Sequence, residues 1–212
     1  ESHGKGLMGI IDGIPAGLDI SEEYIKNQLS RRQKGHGRSN RMKMENDYAE
    51  IYCGVRQGLT TGGPLGLIIR NRDYENWKEC MSISKNNYKK KVTLPRPGHA
   101  DLAGVMKFGF DDIRDVIERS SARETAMRVA ISSICRKFLD ILNIELCSRV
   151  IKIHSVEDKS ILNNAVSLNE INNIADKSSV RCLDSKAEQK MISVIDQAKK
   201  NGDSVGGVIE IN

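Results

Sequence analysis

SARETAMRVAISSICRKFLDIL, at residues 121–142, carries the clearest secondary-structure signal in the chain. Ser121 and Glu124 fit a capping box, in which the serine hydroxyl and the glutamate carboxylate satisfy each other's free backbone amides. Apolar residues then recur at helical spacing, namely Met127, Ala130, Ile134, Phe138, Ile141 and Leu142. The stretch therefore predicts a long amphipathic helix with one face on a core.

Strand-like and helix-like segments surround this helix. The pattern predicts strands within residues 6–20, 49–55, 65–70, 145–153 and 205–211. It predicts further helices at residues 22–33, 101–108, 168–177 and 185–200, the first of them capped by Ser21. Helices interspersed with hairpin-like strands indicate an α+β fold.

Bulk properties favour a soluble globular domain. The chain has 212 residues, of which 39% are hydrophobic and 29% charged. Its apolar runs are shorter than the roughly 20 residues that a membrane helix needs. The first residues lack the basic start and apolar stretch of a signal peptide, so we expect a cytoplasmic protein. The 5 cysteines include no CxxC pair, so we expect reduced thiols and no metal site.

A basic segment, Arg31-Arg-Gln-Lys-Gly-His-Gly-Arg38, ends the first predicted helix, and Arg41 follows it. Arg32 continues the apolar stripe of Ile25 and Leu29 by one turn, which predicts that it points inward. A buried guanidinium needs an anionic partner, and no acid lies nearby in sequence. A bound ligand could supply that charge. The alternative is that the arginines only complement the helix dipole.

The segment at residues 95–101, Pro-Arg-Pro-Gly-His-Ala-Asp, presents one guanidinium and one imidazole. Two prolines restrict the backbone around Arg96, and Gly98 allows a turn before His99. The alternative is a plain proline loop in which Asp101 caps a helix.

The segment Arg119-Ser-Ser-Ala-Arg123 precedes the long helix. Free amides and the dipole at a helix N-terminus favour an anion, and guanidinium groups bind carboxylates and phosphates bidentately. This is the most specific anion-binding signal in the chain. The alternative is Ser121 as a simple cap beside solvated arginines.

The opening residues, Glu1-Ser-His-Gly4, indicate a tight turn that carries His3. With the three segments above they bring together two histidines, His3 and His99, and a set of arginines at positions 32, 38, 41, 96, 119 and 123. So many guanidiniums need several negative charges from a ligand. We therefore predict an enzyme that acts on a small polyanionic substrate. His154, in a strand-like run, is predicted to be structural.

A nucleic-acid-binding module would use the same basic residues. The net charge of +5 is mild for that role, and aromatic residues make up only 4% of the chain. Few aromatic residues lie near the arginines, so stacking platforms for bases are scarce. Nucleic acid is thus the less favoured partner.

The basic segments also carry a family resemblance. Glu1–Gly4, the basic segment, Gly54-Val-Arg-Gln-Gly-Leu-Thr-Thr-Gly-Gly-Pro64, residues 96–101 and Arg119-Ser-Ser-Ala-Arg-Glu-Thr-Ala-Met-Arg-Val-Ala130 resemble chorismate synthase, in that family's order and spacing. Gly202-Asp-Ser-Val-Gly-Gly207 resembles a further family segment. The resemblance spans the whole chain.

Resemblance to chorismate synthase implies a lyase that converts 5-enolpyruvylshikimate 3-phosphate to chorismate by 1,4-elimination, the last step of the shikimate pathway. Phosphate leaves carbon 3 and hydrogen leaves carbon 6. The substrate carries two carboxylates and a phosphate. The family uses reduced FMN, and members that reduce their own flavin also use NADPH.

The resemblance also implies roles for individual residues. His3 is similar to the acid that protonates the departing phosphate, and His99 to the imidazole beside the flavin. The implied substrate ligands are Ser2, Arg32, Arg38, Arg41, Arg96 and Arg123. The implied FMN contacts are Arg119, Ser120 and Ser121. Arg32 and Arg38 also lie where NADPH would bind.

The resemblance implies a layered β-α-β sandwich that assembles as a homotetramer. The chain begins without Met inside a turn and ends in a strand-like run. We therefore expect residues 1–212 to form a partial domain, which lacks the family's first strand and C-terminal portion. Two alternatives stay open: the nucleic-acid-binding module and an inactive truncated form that keeps the fold.

Overall fold

The computed structural model describes residues 1–37, 46–160 and 167–212. The chain divides into two compact units. The first comprises Glu1–Leu29 and Glu45–Cys135, and the second comprises Ser30–Met44 and Arg136–Asn212. Helices and strands are both abundant, so the α+β prediction is confirmed.

The first unit contains an antiparallel sheet in the order β1-β5-β2. Its strands are β1 (Gly6–Ile11), β2 (Ala49–Cys53) and β5 (Leu65–Arg70). A small hairpin, β3 (Val55–Arg56) and β4 (Leu59–Thr60), lies between β2 and β5 in sequence. Strand β5 lies between the two others and pairs with both, and most of its side chains are buried.

Four helices belong wholly or partly to the first unit. They are α1 (Glu22–Gln33), α2 (Asp101–Phe108), α3 (Arg114–Ser120) and α4 (Thr125–Ile141), and the boundary between the units falls inside α1 and α4. Ile25 and Leu29 of α1 are fully buried, as their spacing predicts. The sequence analysis did not anticipate α3.

Helix α4 packs on the sheet where a glycine permits close approach. A Cβ atom at Gly9 of β1 would lie 2.4 Å from Ile131 Cδ1 and 2.8 Å from Met127 Cγ. The apolar stripe of the long helix is therefore confirmed in its first three turns. At the far end, Ile141 and Leu142 are 59% and 52% exposed, so the prediction that they are buried is wrong.

The start of the long helix differs from a full capping box. A 3-10 turn, Ala122–Glu124, precedes α4, and the Ser121 hydroxyl accepts a hydrogen bond from the Arg123 amide at 3.3 Å. The Glu124 carboxylate instead accepts from Arg128, one turn along the helix, at 3.3 Å. Only the serine half of the predicted box is therefore seen.

The second unit contains β6 (Ser148–Ile153), β7 (Val156–Glu157) and β8 (Gly207–Ile211), which form an antiparallel sheet in the order β7-β6-β8. Helices α5 (Leu168–Ala175) and α6 (Ser185–Lys200) accompany it. Its core consists of Val180, Cys182, Ala187 and Met191. Among the described residues, none of the helices has the length and apolarity to cross a membrane.

Candidate active site

The turn Glu1–Gly4 lies at the end of the first sheet, and Asn71 holds it there. Strands β1 and β5 are antiparallel with Gly6 opposite Arg70, so the start of β1 lies beside the residue that follows β5. The Asn71 side-chain amide donates to the Glu1 and Gly4 carbonyls, each at 2.9 Å. Because Asn71 is only 5% exposed, this contact fixes the turn from inside the unit.

Ser2 contacts the junction between α3 and α4. Its hydroxyl donates to the Ser121 hydroxyl at 3.0 Å, and its amide donates to the Glu118 carbonyl at 3.2 Å. Ser2 is 1% exposed. Two of the segments that the sequence analysis singled out, the opening turn and the start of the long helix, therefore meet directly.

The backbone and the ring of the next residue, His3, both contact the carboxylate of Glu118. Its amide donates to Glu118 Oε2 at 2.6 Å, and its Nδ1 lies 2.8 Å from Glu118 Oε1. The His3 ring also lies against Trp77, with centroids 4.3 Å apart and planes inclined by 44°. The backbone position and the ring orientation of His3 are both set by these neighbours.

Arg114 joins the same cluster. One guanidinium nitrogen lies 3.5 Å from Glu118 Oε1, and the guanidinium carbon lies 4.8 Å from the centre of the Trp77 ring. The Glu118 side chain is only 3% exposed, so its charge needs such a partner. Trp77 itself is fixed by a hydrogen bond from its indole N–H to Asp73 at 3.0 Å.

Arg123 lies on the other side of Asn71 and has an internal carboxylate. Its Nε donates to Asn71 Oδ1 at 2.9 Å, and its Nη1 forms a very short ion pair with Asp47. Both charged side chains are almost fully buried. The sequence pointed to a ligand for the negative charges, and for Arg123 the structure adds an internal one from Asp47.

The proline loop, residues 95–101, has its own ion pair. Arg96 Nε and Nη2 each lie 2.9 Å from a carboxylate oxygen of Asp101, and the Arg96 amide donates to the same carboxylate at 2.9 Å. Asp101 is fully buried at the start of α2. The hydrogen bonds from Arg96 are the main reason that the pKa of Asp101 falls from 3.8 to about 2. His99 lies in the same loop with its side chain exposed.

Arg119 and Ser120 occupy a different position from the one that the sequence suggested. They are the last residues of α3 and are exposed, whereas the long helix begins only after Ser121. Their placement at the N-terminus of that helix was therefore wrong. The reason is the separate short helix α3, which includes both residues and ends at Ser120.

The remaining predicted ligands lie elsewhere. Arg32 is half-buried on α1, in the part that belongs to the second unit. Its neighbour Arg31 contacts Asp176 at 2.6 Å in that unit. Arg38 and Arg41 lie outside the described residues. His154 is exposed at the turn between β6 and β7, with φ +52°, so it lies outside the strand in which it was predicted.

Three residues at the centre of this site were missed by sequence reasoning, namely Asp47, Asn71 and Glu118. Glu118 directly precedes the Arg119–Arg123 segment, and its neighbourhood was a usable signal. Asp47 and Asn71 are brought to Arg123 only by the sheet, across 76 and 52 residues of sequence. Within the described ranges, groups of three or more His, Cys, Asp or Glu arranged to hold a metal are absent.

The fold and these contacts define an α+β protein with a histidine–carboxylate pair beside buried and surface arginines. The family model for chorismate synthase matches residues 1–212. Chorismate synthase from Geobacillus sp. (strain WCH70) is 47% identical over 215 residues, which cover 100% of this chain and 55% of the relative. Chorismate synthase 2 from Bacillus cereus (strain ATCC 14579) is 46% identical over 217 residues, with the same coverage.

A solved structure agrees with the sequence relatives. A crystal structure of chorismate synthase superposes with a TM-score of 0.77 at 38% identity, and covers 100% of this chain and 55% of that one. The chain thus spans about half the length of the relatives it matches. It belongs to the chorismate synthase family.

Proposed function

We propose that the protein containing this chain converts 5-enolpyruvylshikimate 3-phosphate to chorismate and phosphate. The observation that carries the proposal is the Ser2–His3 turn, which Glu118, Ser121 and Asn71 hold. In the overall reaction the carbon–oxygen bond at carbon 3 breaks, hydrogen leaves carbon 6, and a new double bond forms in the ring.

His3 is proposed as the acid that protonates the departing phosphate. Its Nδ1 faces the Glu118 carboxylate at 2.8 Å, which favours a proton on that nitrogen. The proton exchanged with the substrate is then the one on Nε2. A positioned proton donor of this kind contributes about 100- to 10,000-fold to a rate.

The substrate's two carboxylates and its phosphate are proposed to bind Ser2 and the arginines at positions 32, 38, 41, 96 and 123. Arg96 and Arg123 are already oriented by Asp101 and Asp47. A guanidinium that is held before the ligand arrives loses less side-chain entropy on binding, which strengthens the contact.

Reduced FMN is proposed to contact Arg119, Ser120 and Ser121. Arg119 and Ser120 are exposed neighbours. The hydrogen-bond donors on these three residues fit an anionic cofactor with many acceptor atoms. The Ser121 hydroxyl also accepts a hydrogen bond from the Ser2 hydroxyl, which links this region to the proposed substrate residues. When bound, reduced FMN supplies electron density to the substrate and recovers it within the turnover. His99 would hold the reduced flavin through its imidazole.

Three further properties belong to the same proposal. Arg32 and Arg38 would bind NADPH if the protein reduces its own flavin. The intact protein is proposed to be a cytoplasmic homotetramer. Its partner is proposed to be a small polyanion rather than nucleic acid, since aromatic residues for base stacking make up only 4% of the chain.

The test is a turnover assay on the intact gene product. Purified protein is mixed without oxygen with 5-enolpyruvylshikimate 3-phosphate and reduced FMN, and chorismate and phosphate are measured together. Equal amounts of both products are expected. Absence of both would contradict the proposal. Oligonucleotide binding that weakens steeply with salt would instead favour the nucleic-acid alternative.

A second assay addresses the alternative of an inactive form. Residues 1–212 alone are compared with the intact gene product under the same conditions. Turnover by the intact protein only would show that these residues need the remainder for activity.

A further inference from the structure

We propose that Glu118 is a positioning residue that fixes the tautomer and the direction of the His3 ring. This inference rests on the proposed function, in which His3 is the proton donor. Glu118 contacts no reacting atom in this scheme, and its side chain acts through His3.

The geometry of the carboxylate carries the proposal. Its two oxygens accept from two donors on the same residue, the His3 amide at 2.6 Å and Nδ1 at 2.8 Å. Holding both the backbone and the ring of one residue restricts rotation of the side chain between them. An ordinary surface ion pair contacts a side chain at one point and leaves that side chain free to rotate.

The end of helix α3 contacts two consecutive residues of the turn, Ser2 and His3. Glu118 holds His3 through its side chain and Ser2 through its carbonyl, while Ser121, three residues later, holds the Ser2 hydroxyl. A shift of the helix end would therefore move Ser2 and His3 together. The Trp77 ring, 4.3 Å from the His3 ring, limits rotation on a further side.

The groups that face the His3 ring and Glu118 include one arginine and several acids. Arg114 lies 3.5 Å from the same oxygen that faces Nδ1, so the carboxylate is shared between a fixed cation and the imidazole. Glu1, Asp112 and Asp115 are further acids in this region. Burial, then Asp112, Glu1 and Glu118, raise the pKa of Asp115. The tautomer itself follows from the contact: Glu118 Oε1 lies 2.8 Å from Nδ1, and a hydrogen bond donated by Nδ1 to a carboxylate keeps the proton on that nitrogen.

The test uses Glu118→Gln in the intact gene product. A glutamine replaces one of the two accepting oxygens with an NH2 donor, so one of the two contacts seen here, to Oε1 or to Oε2, is lost. We expect kcat to fall about 10- to 100-fold, as for loss of an orienting partner, while KM changes little. The His3 Nδ1 resonance in ¹⁵N NMR is expected to move toward that of an unprotonated ring nitrogen.

Two further variants keep the outcome interpretable. Glu118→Asp retains a carboxylate and is expected to recover more of kcat than Glu118→Gln. Glu50→Gln removes the carboxylate of an exposed pair with Arg70 and is expected to leave both kcat and the NMR signal unchanged. Equal losses in Glu118→Gln and Glu118→Asp, or an unchanged Nδ1 resonance in Glu118→Gln, would overturn the proposal.

Failure of this inference can be told apart from failure of the proposed function. If the wild-type protein makes no chorismate, the function fails, and the NMR comparison still reports whether Glu118 sets the tautomer. If His3→Asn abolishes turnover while Glu118→Gln behaves as wild type, the function stands and only the role of Glu118 is lost.

Discussion

The N-terminal turn, Glu1–Gly4, and the proline loop, residues 95–101, each present one proposed catalytic histidine, but they are built differently. Contacts from Asn71, Glu118 and Ser121, far away in sequence, hold the turn inside the first unit. The loop is stabilised by one local pair, Arg96 with Asp101, and its histidine is exposed. Tertiary packing thus orients His3 in advance, whereas the surroundings of His99 leave it open to solvent.

The largest effect is expected from the turn. His3→Asn in the intact gene product should lower kcat about 100- to 10,000-fold, because the positioned proton donor is lost. Steady-state turnover measures it. His154→Asn is the matched control, since that histidine is exposed and asparagine tolerates its φ of +52°. Equal rates in the two variants would remove His3 from the mechanism.

The second effect concerns the loop. His99→Ala should reduce turnover by about 100-fold, near the lower end for loss of an acid–base group, since its surroundings hold it less tightly. The free energy of unfolding should stay within about 0.5 kcal/mol of wild type, as for exposed substitutions. Turnover and urea unfolding of one preparation measure both. A normal rate would refute its role beside the flavin.

The third prediction concerns Arg123, which contacts Asn71 and so supports the turn from inside the unit. Arg123→Lys cannot contact Asp47 and Asn71 through a planar fork, so we expect a loss of about 1–3 kcal/mol in the free energy of unfolding and weaker substrate binding. Urea unfolding and calorimetry measure these. Arg119→Lys, at an exposed position, is the control for stability and should change it little. Unchanged substrate affinity in Arg123→Lys would count against its role as a ligand.

The smallest effect is expected from the local pair in the loop. The pKa of Asp101 in the folded protein is about 2, below its ordinary 3.8, so its ionisation stabilises the fold above pH 4 and this contribution disappears as the pH falls toward 2. Asp101→Asn should therefore cost about 1–2 kcal/mol at neutral pH, with some screening because Arg96 is half exposed, and progressively less in acid. Urea unfolding at several pH values measures the difference. If the difference in the free energy of unfolding between wild type and Asp101→Asn does not change with pH, packing rather than charge makes Asp101 important.

The elements that the sequence predicted well are those with strong local patterns. Helix α6 covers residues 185–200 as predicted, and Ile25 and Leu29 mark the buried face of α1. Helix α3 was missed because residues 114–120 are short and mainly polar, with few apolar positions to show a period. Its absence from the prediction also misplaced Arg119 and Ser120.

The sequence also predicted only part of the candidate site. The arginine and histidine segments were visible from residue type and spacing, and so was the ligand class that they favour. Whether each guanidinium faces a ligand or an internal acid was not visible, since Asp47 lies 76 residues from Arg123. A hydrogen bond depends on distance in space, and a separation of 76 residues in sequence does not determine that distance.

By itself the sequence determined most of the helices and strands and the family, and it predicted an anion-binding site, because these depend on periodicity, residue type and ordered motifs. Only the tertiary structure decided that Glu118 and Asn71 hold the Ser2–His3 turn and that Asp47 neutralises Arg123. The physical reason is the antiparallel β1–β5 pairing together with the end of α3, which bring distant polar atoms within hydrogen-bond distance inside a buried site.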